Sequence, residues 1–243
     1  MENHSSSIAI VTGAGSGIGR DTAIQLAEHG IKCAIVSRTE SNLEETAVLM
    51  KQSSPNPDDC NPLILPLDLS LDDTPRQAAE QTHKHFDNID ILINCAGSAP
   101  MMSIDKITPE TWHDCIDINL SATVLLTQAV WSHFVSRQTG LIINISSMAS
   151  VDPFPGFSIY AAAKVGVNMF THAAAAEGKK HGIRAVAIAP GAVETDMLRA
   201  NFPIEMIPTE KTLDPADVAT KILTCVNDPD SYTSGETILF NSP

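Results

Sequence analysis

At 243 residues, 43% of them hydrophobic, the chain can bury one sizeable core and suits a single α/β domain better than two small ones. Its 29 acidic residues against 15 basic ones give a formal charge of -14, which with no basic cluster argues against nucleic acid or an acidic membrane surface as partner. No run of 18 apolar residues can span a bilayer, and residues 1–7 hold no basic segment leading into an apolar stretch, so an unexported, cytoplasmic protein is expected.

Apolar runs rich in Val and Ile at 8–11, 33–36, 63–67, 89–93, 141–145, 185–188 and 237–240 predict seven strands. Helical patterns lie between them near 17–29, 40–51, 72–86, 109–136, 157–180 and 215–227. Near-continuous apolar strands belong to a parallel sheet covered on both faces, and right-handed crossovers make it doubly wound. Ligands then sit at the carboxyl ends of the strands. The stretch 191–214, carrying Pro203 and Pro208, reads as irregular, and an irregular segment of that length is expected to be a lid or a substrate loop.

After the first strand comes Thr12-Gly13-Ala14-Gly15-Ser16-Gly17-Ile18-Gly19, followed by an amphipathic helical pattern. Glycines here permit a tight turn and close backbone approach to a pyrophosphate resting on the helix N-terminus, so Gly13, Ser16, Gly17, Ile18 and Gly19 form a candidate phosphate cradle. Thr12, Gly13, Gly17 and Gly19 match the Thr-Gly-x-x-x-Gly-x-Gly pattern, and on them the chain resembles the short-chain dehydrogenase/reductase family, 3-oxoacyl-carrier-protein reductases among its members. The resemblance implies a single-domain Rossmann fold spanning 1–243. It also implies cofactor contacts at Asp68 and Leu69 after the third strand and at Asn94, Ala96 and Gly97 after the fourth, Cys95 standing where the family has Asn. After the second strand, Ser37 and Arg38 occupy the place of the carboxylate that would hold a free ribose 2′-hydroxyl. A hydroxyl and a guanidinium suit a 2′-phosphate, so NADP(H) is expected over NAD(H).

Tyr160 and Lys164, four residues apart, stack a phenol and an ammonium on one helix face. A nearby cation favours the phenolate, which makes the tyrosine a candidate acid/base; an ordinary surface pair is the plain alternative. Ser147 lies 13 residues before Tyr160, the separation of the family's catalytic pair, with Ser146 as the structural alternative. Asn119 matches the helix Asn that completes the family's tetrad, although a satisfied core amide would look the same in sequence. Pro190, Gly191, Val193 and Thr195 resemble the family's nicotinamide-contacting segment, and the resemblance implies that Tyr160 and Lys164 also contact the cofactor, Lys164 at the nicotinamide ribose. Met148, Phe154, Phe157 and residues 196–208 are expected to line an apolar substrate side.

The resemblance thus implies hydride transfer between NADP(H) and a small carbonyl or alcohol substrate, without a metal. The five cysteines, Cys33, Cys60, Cys95, Cys115 and Cys225, lack metal-ligand spacing and read as reduced thiols. A non-catalytic NADP(H)-binding regulator is the competing class, and the combination of Ser147, Tyr160 and Lys164 argues against it. The helical patterns 109–136 and 157–180 are long and broadly apolar, the second rich in Ala, and the resemblance implies that these helices pair between subunits, so a homodimer or homotetramer is expected.

Overall fold

A computed structural model describes residues 7–242. Residues 1–6, which hold most of the stretch read for an export signal, and Pro243 lie outside the described residues. Seven strands, β1 (Ile8–Thr12), β2 (Lys32–Ser37), β3 (Leu63–Pro66), β4 (Ile91–Asn94), β5 (Gly140–Ile145), β6 (Ile183–Pro190) and β7 (Thr237–Phe240), form one parallel sheet in the order β3-β2-β1-β4-β5-β6-β7. The connection direction reverses between β1 and β4, which opens a crevice at their carboxyl ends.

Strand alternation divides the core in two. Val11, Ile35, Ile143 and Ile188 face one side, where they meet Leu26, Val218 and Ile222. These come from α1 (Gly17–Glu28) and α8 (Pro215–Asn227); α2 (Glu40–Ser53) adds Leu43 and Met50. Ile10, Val36, Leu92 and Ile142 face the other side, against Ala78 of α3 (Thr74–Phe86), Leu126 and Phe134 of α5 (Ala122–Arg137) and Ala174 of α6 (Ser158–Gly178). Covering on both faces is why these strands read as unbroken apolar runs. Among the described residues no helix is long and apolar enough to cross a membrane.

Three boundaries depart from the sequence reading for local reasons. The fourth strand begins at Ile91 rather than Ile89, because the Asp90 carboxylate accepts the Ile8 N–H at 2.8 Å where a ladder carbonyl would stand. The expected helix 109–136 is two helices, α4 (Pro109–Ile116) and α5, joined by a π-helical turn at Asp117–Ser121. A π turn inserts one residue and so shifts the apolar period by one position, a change that broadly apolar helices such as these do not make visible. Finally, 191–214 is not irregular throughout: α7 (Asp196–Asn201) starts at Thr195, whose hydroxyl accepts the Leu198 N–H at 3.2 Å. Val193 then bridges to Leu213 and closes the segment into a loop.

Candidate active site

The turn after β1 is built by backbone. Gly13 and Gly17 hold φ of 66° and 50°, where a side chain is strained. A Cβ on Gly19 would lie 2.3 Å from the Gly13 carbonyl oxygen, so the turn closes only on glycine. Ser16 caps α1 without a side-chain hydrogen bond, and the first turn of α1 has no acidic residue. Its amides are therefore available to an anion, with the helix dipole behind them.

From this turn a cleft of about 540 Å³ runs past Ser37 and Arg38 to Asp68 and Leu69, then to Ala96 and Gly97. The Ser37 hydroxyl is buried with no hydrogen-bond partner. Arg38 is exposed, and among the described residues it makes no ion pair or hydrogen bond. A buried orphan hydroxyl and an uncommitted guanidinium on one wall fit a phosphorylated ribose. Asp68 accepts the Ser70 N–H at 3.1 Å and its O–H at 2.7 Å, which holds the β3 loop against the cleft.

Arg20, which sequence reasoning left without a role, braces the cradle. Its guanidinium donates to the Gly15 carbonyl at 2.6 Å, to Glu45 at 2.8 Å and to the Thr46 hydroxyl at 3.2 Å. Thr46 in turn donates to the Ala14 carbonyl at 2.9 Å. A basic residue directly after the last glycine was the signal. Thr12 ties the ends of β1 and β4 together by accepting the N–H groups of Cys95 and Ala96, both at 3.0 Å.

Asn94, expected among the cofactor contacts, has its side chain engaged within the protein. It is buried, does not line the cleft, and donates to Asn144 at 2.8 Å, which donates to Thr171 at 2.8 Å. Its amide orders the strand ends from which Cys95, Ala96 and Gly97 project. The Cys95 thiol is pushed up to about 12 by burial and stays neutral.

Beyond Gly97, which lines both spaces, a second cleft of about 270 Å³ contains Asn119, Ser147, Tyr160 and Lys164, with Ile18, Pro190, Gly191, Val193 and Thr195 on the nucleotide side. Ser147 leaves β5 in extended conformation and caps a single 3-10 turn, Met148–Ser150, its Oγ accepting the Ala149 N–H at 3.1 Å. Ser146 points into the core and donates to the Lys164 carbonyl at 3.3 Å, a structural position. Asn119 sits in the π turn, fully buried, donating to the carbonyls of Ser98 at 2.8 Å and Cys115 at 2.9 Å and accepting the Ser98 N–H at 3.2 Å. A Cβ on Gly97 would meet its Oδ1 at 2.6 Å and the Lys164 Nζ at 3.6 Å.

The first turns of α6 carry Tyr160 and Lys164 on one face, the ammonium 5.7 Å from the centre of the phenol ring. Here the electrostatics differ from the sequence expectation. Burial is the dominant influence on both groups: it raises the Tyr160 pKa, against a hydrogen bond from Ser147 that lowers it, and it pulls Lys164 down to about 8. The Lys164 Nζ donates to the Ile145 carbonyl at 2.8 Å.

Aromatic rings wall the outer part of this cleft. Phe157 meets Tyr160 at 5.6 Å between centroids and Phe202 at 5.6 Å, and Phe154 meets Phe202 edge-on at 5.1 Å. Phe202 is placed by α7, which Asn201 anchors by donating to the Ala99 carbonyl across the cleft at 2.8 Å. Arg199 pairs with Glu194 through both carboxylate oxygens and donates to the Ile207 carbonyl at 2.8 Å. The arrangement offers two hydroxyls at the floor of an apolar cleft that shares Gly97 with the cleft beside the glycine turn.

Residues 7–205 match the short chain dehydrogenase family. The chain is similar to an uncharacterised oxidoreductase of Staphylococcus aureus strain MW2, 30% identical over 94% of both chains. It is also similar to a 3-oxoacyl-[acyl-carrier-protein] reductase of Synechocystis, 33% identical over 95% of this chain and 93% of that one. Among solved structures, levodione reductase superposes with a TM-score of 0.89 at 26% identity, covering 97% of this chain and 96% of the other. The 3-ketoacyl-(acyl-carrier-protein) reductase of Brucella melitensis complexed with NADH gives 0.87 at 27%, with the same coverage.

Proposed function

Because the chain belongs to the short chain dehydrogenase family of oxidoreductases, we propose that it interconverts a carbonyl compound and its alcohol with NADP(H), using Tyr160 as general acid and base. When bound, the nicotinamide exchanges hydride with the carbon that carries the oxygen. The residues present fit such a cofactor: the cradle admits no Cβ at Gly19, and the buried Ser37 hydroxyl lacks a partner. Ser37 and Arg38 would take the 2′-phosphate, and the place of a ribose-binding carboxylate holds neither Asp nor Glu.

At the catalytic floor Ser147 donates to the substrate oxygen as negative charge develops on it, and loss of such a donor typically lowers turnover by about 10²- to 10³-fold. Tyr160 delivers the proton in reduction and removes it in oxidation. Its raised pKa keeps the phenol protonated at neutral pH, the form that reduction needs. Lys164, about 8 in its buried site, carries a positive charge at neutral pH within one turn of the phenol. Asn119, whose Oδ1 flanks Gly97 as the Lys164 Nζ does, supports the return of a proton from solvent. Gly191, Val193 and Thr195 hold the nicotinamide end, and α7 with its flanking loop covers the substrate.

The observation that carries this reading is the position of the Tyr160 and Ser147 hydroxyls in a cleft that joins the glycine cradle at Gly97. The exposed faces of Val165 and Met169 on α6 support assembly into a homodimer or homotetramer. The test is oxidation of NADPH and NADH by the purified protein across ketones, aldehydes, diketones and quinones. Turnover with NADPH that Tyr160→Phe removes is expected. Tight NADPH binding with no turnover on any of these would favour the regulator.

A further inference from the structure

We infer that the substrate is an electrically neutral carbonyl compound and that Asp152 is the residue that discriminates against anionic ones; this rests on the reading of the cleft as a carbonyl site. Asp152 stands five positions after Ser147 in the wall of the same cleft, held there by its backbone N–H, which donates to the Met148 carbonyl at 2.9 Å. Among the described residues its carboxylate has no hydrogen bond or ion pair. The other charged group in that wall is the Lys164 ammonium, at the catalytic floor and engaged by the Ile145 carbonyl. What remains on the substrate side is largely apolar, with Met148, Phe154, Phe157, Met197, Phe202 and Ile207.

Among the described residues that line the cleft, Lys164 at its floor is the one cation. An entering anion therefore meets a free carboxylate, loses hydration against phenyl rings, and finds no free cation in the outer wall. The chain's formal charge of -14 adds a long-range repulsion of the same sign. A neutral ketone incurs none of these costs. Rejection by a like charge is a recognised route to specificity, and it singles out free neutral molecules over keto acids and over acyl groups carried on acidic partners.

The test compares methyl benzoylformate with benzoylformate, an ester and its acid anion of nearly the same shape. The wild-type protein is expected to prefer the ester in kcat/KM, and Asp152→Asn to shrink that preference by about fivefold or more, with Asp152→Lys shrinking it further. Asp58→Asn, in the distant loop after α2, should leave the preference where it was. Calorimetric titration with phenylacetamide and phenylacetate reads the same discrimination without turnover. Equal use of acid and ester, an unchanged preference in Asp152→Asn, or no amide binding at millimolar concentration would overturn the inference. Discrimination by Asp152 in calorimetry with no carbonyl reduced would keep the charge gate and sink the catalytic reading instead.

Discussion

The cleft beside the glycine turn and the cleft beneath α7 share Gly97 yet are made of different material. The first is shaped by main chain, with φ of 66° and 50° at Gly13 and Gly17 and carbonyls braced by Arg20 and Thr46. The second is shaped by side chains, with an aromatic wall around two hydroxyls and a buried ammonium. A main-chain cradle recognises what every molecule of one cofactor class has in common, a phosphate group. A side-chain cleft can change its contents without changing the fold, so substrate choice resides there.

The sharpest way to separate the two is Tyr160→Phe. Turnover should fall by about 10³-fold while NADPH affinity stays within about threefold, because the lost hydroxyl belongs to the second cleft alone. Equal losses of binding and turnover, measured by fluorescence titration and steady-state kinetics, would show that the two regions are not separable.

Lys164→Met tests the electrostatics of the second cleft. The folded chain releases this proton near pH 8 and the unfolded chain near 10.5, so between those values unfolding takes up a proton and wild-type stability climbs with pH. Below pH 8 the full cost of burying the charge is present. The cofactor-free variant is therefore expected to be more stable than wild type at pH 7, by on the order of 1–2 kcal/mol after losing the bond to Ile145, and to lose that advantage as pH rises through the interval. Denaturant midpoints at pH 7 and pH 10 check this. A variant less stable at both would contradict it.

In the first cleft Gly19→Ala forces a methyl group onto the Gly13 carbonyl, and NADPH affinity should weaken by about 30-fold with the helical content retained. Arg38→Gln should be milder and selective, weakening NADPH by about tenfold and leaving NADH as before. Equal weakening of both nucleotides would remove Arg38 from the phosphate site.

The same contrast explains what could be read in advance. Glycines that bend a main chain are visible as letters, so the cradle could be located before any coordinates, and the seven apolar strands followed from burial on both faces. The spacing of Tyr160 and Lys164 likewise placed them on one face of α6. What escaped were matters of competition between partners. The Asn94 side chain spends its amide on Asn144, and through it the chain reaches Thr171, a buried link that no letter pattern announces. The Lys164 ammonium donates to the Ile145 carbonyl, and burial is the largest influence on the phenol. The π turn around Asn119 shifts the helical phase by one residue in a stretch apolar on many faces, and α7 is too short to show a period at all.

The central claim, that a phenol and a bound nicotinamide act on one carbonyl in the shared crevice, is tested most directly by isotope transfer. Incubating the protein with a neutral ketone and NADPH carrying deuterium at C4 should deliver the label from one face to the carbinol carbon of the product. Oxidation of the nucleotide with the label lost to water, or binding without any transfer, would contradict the account.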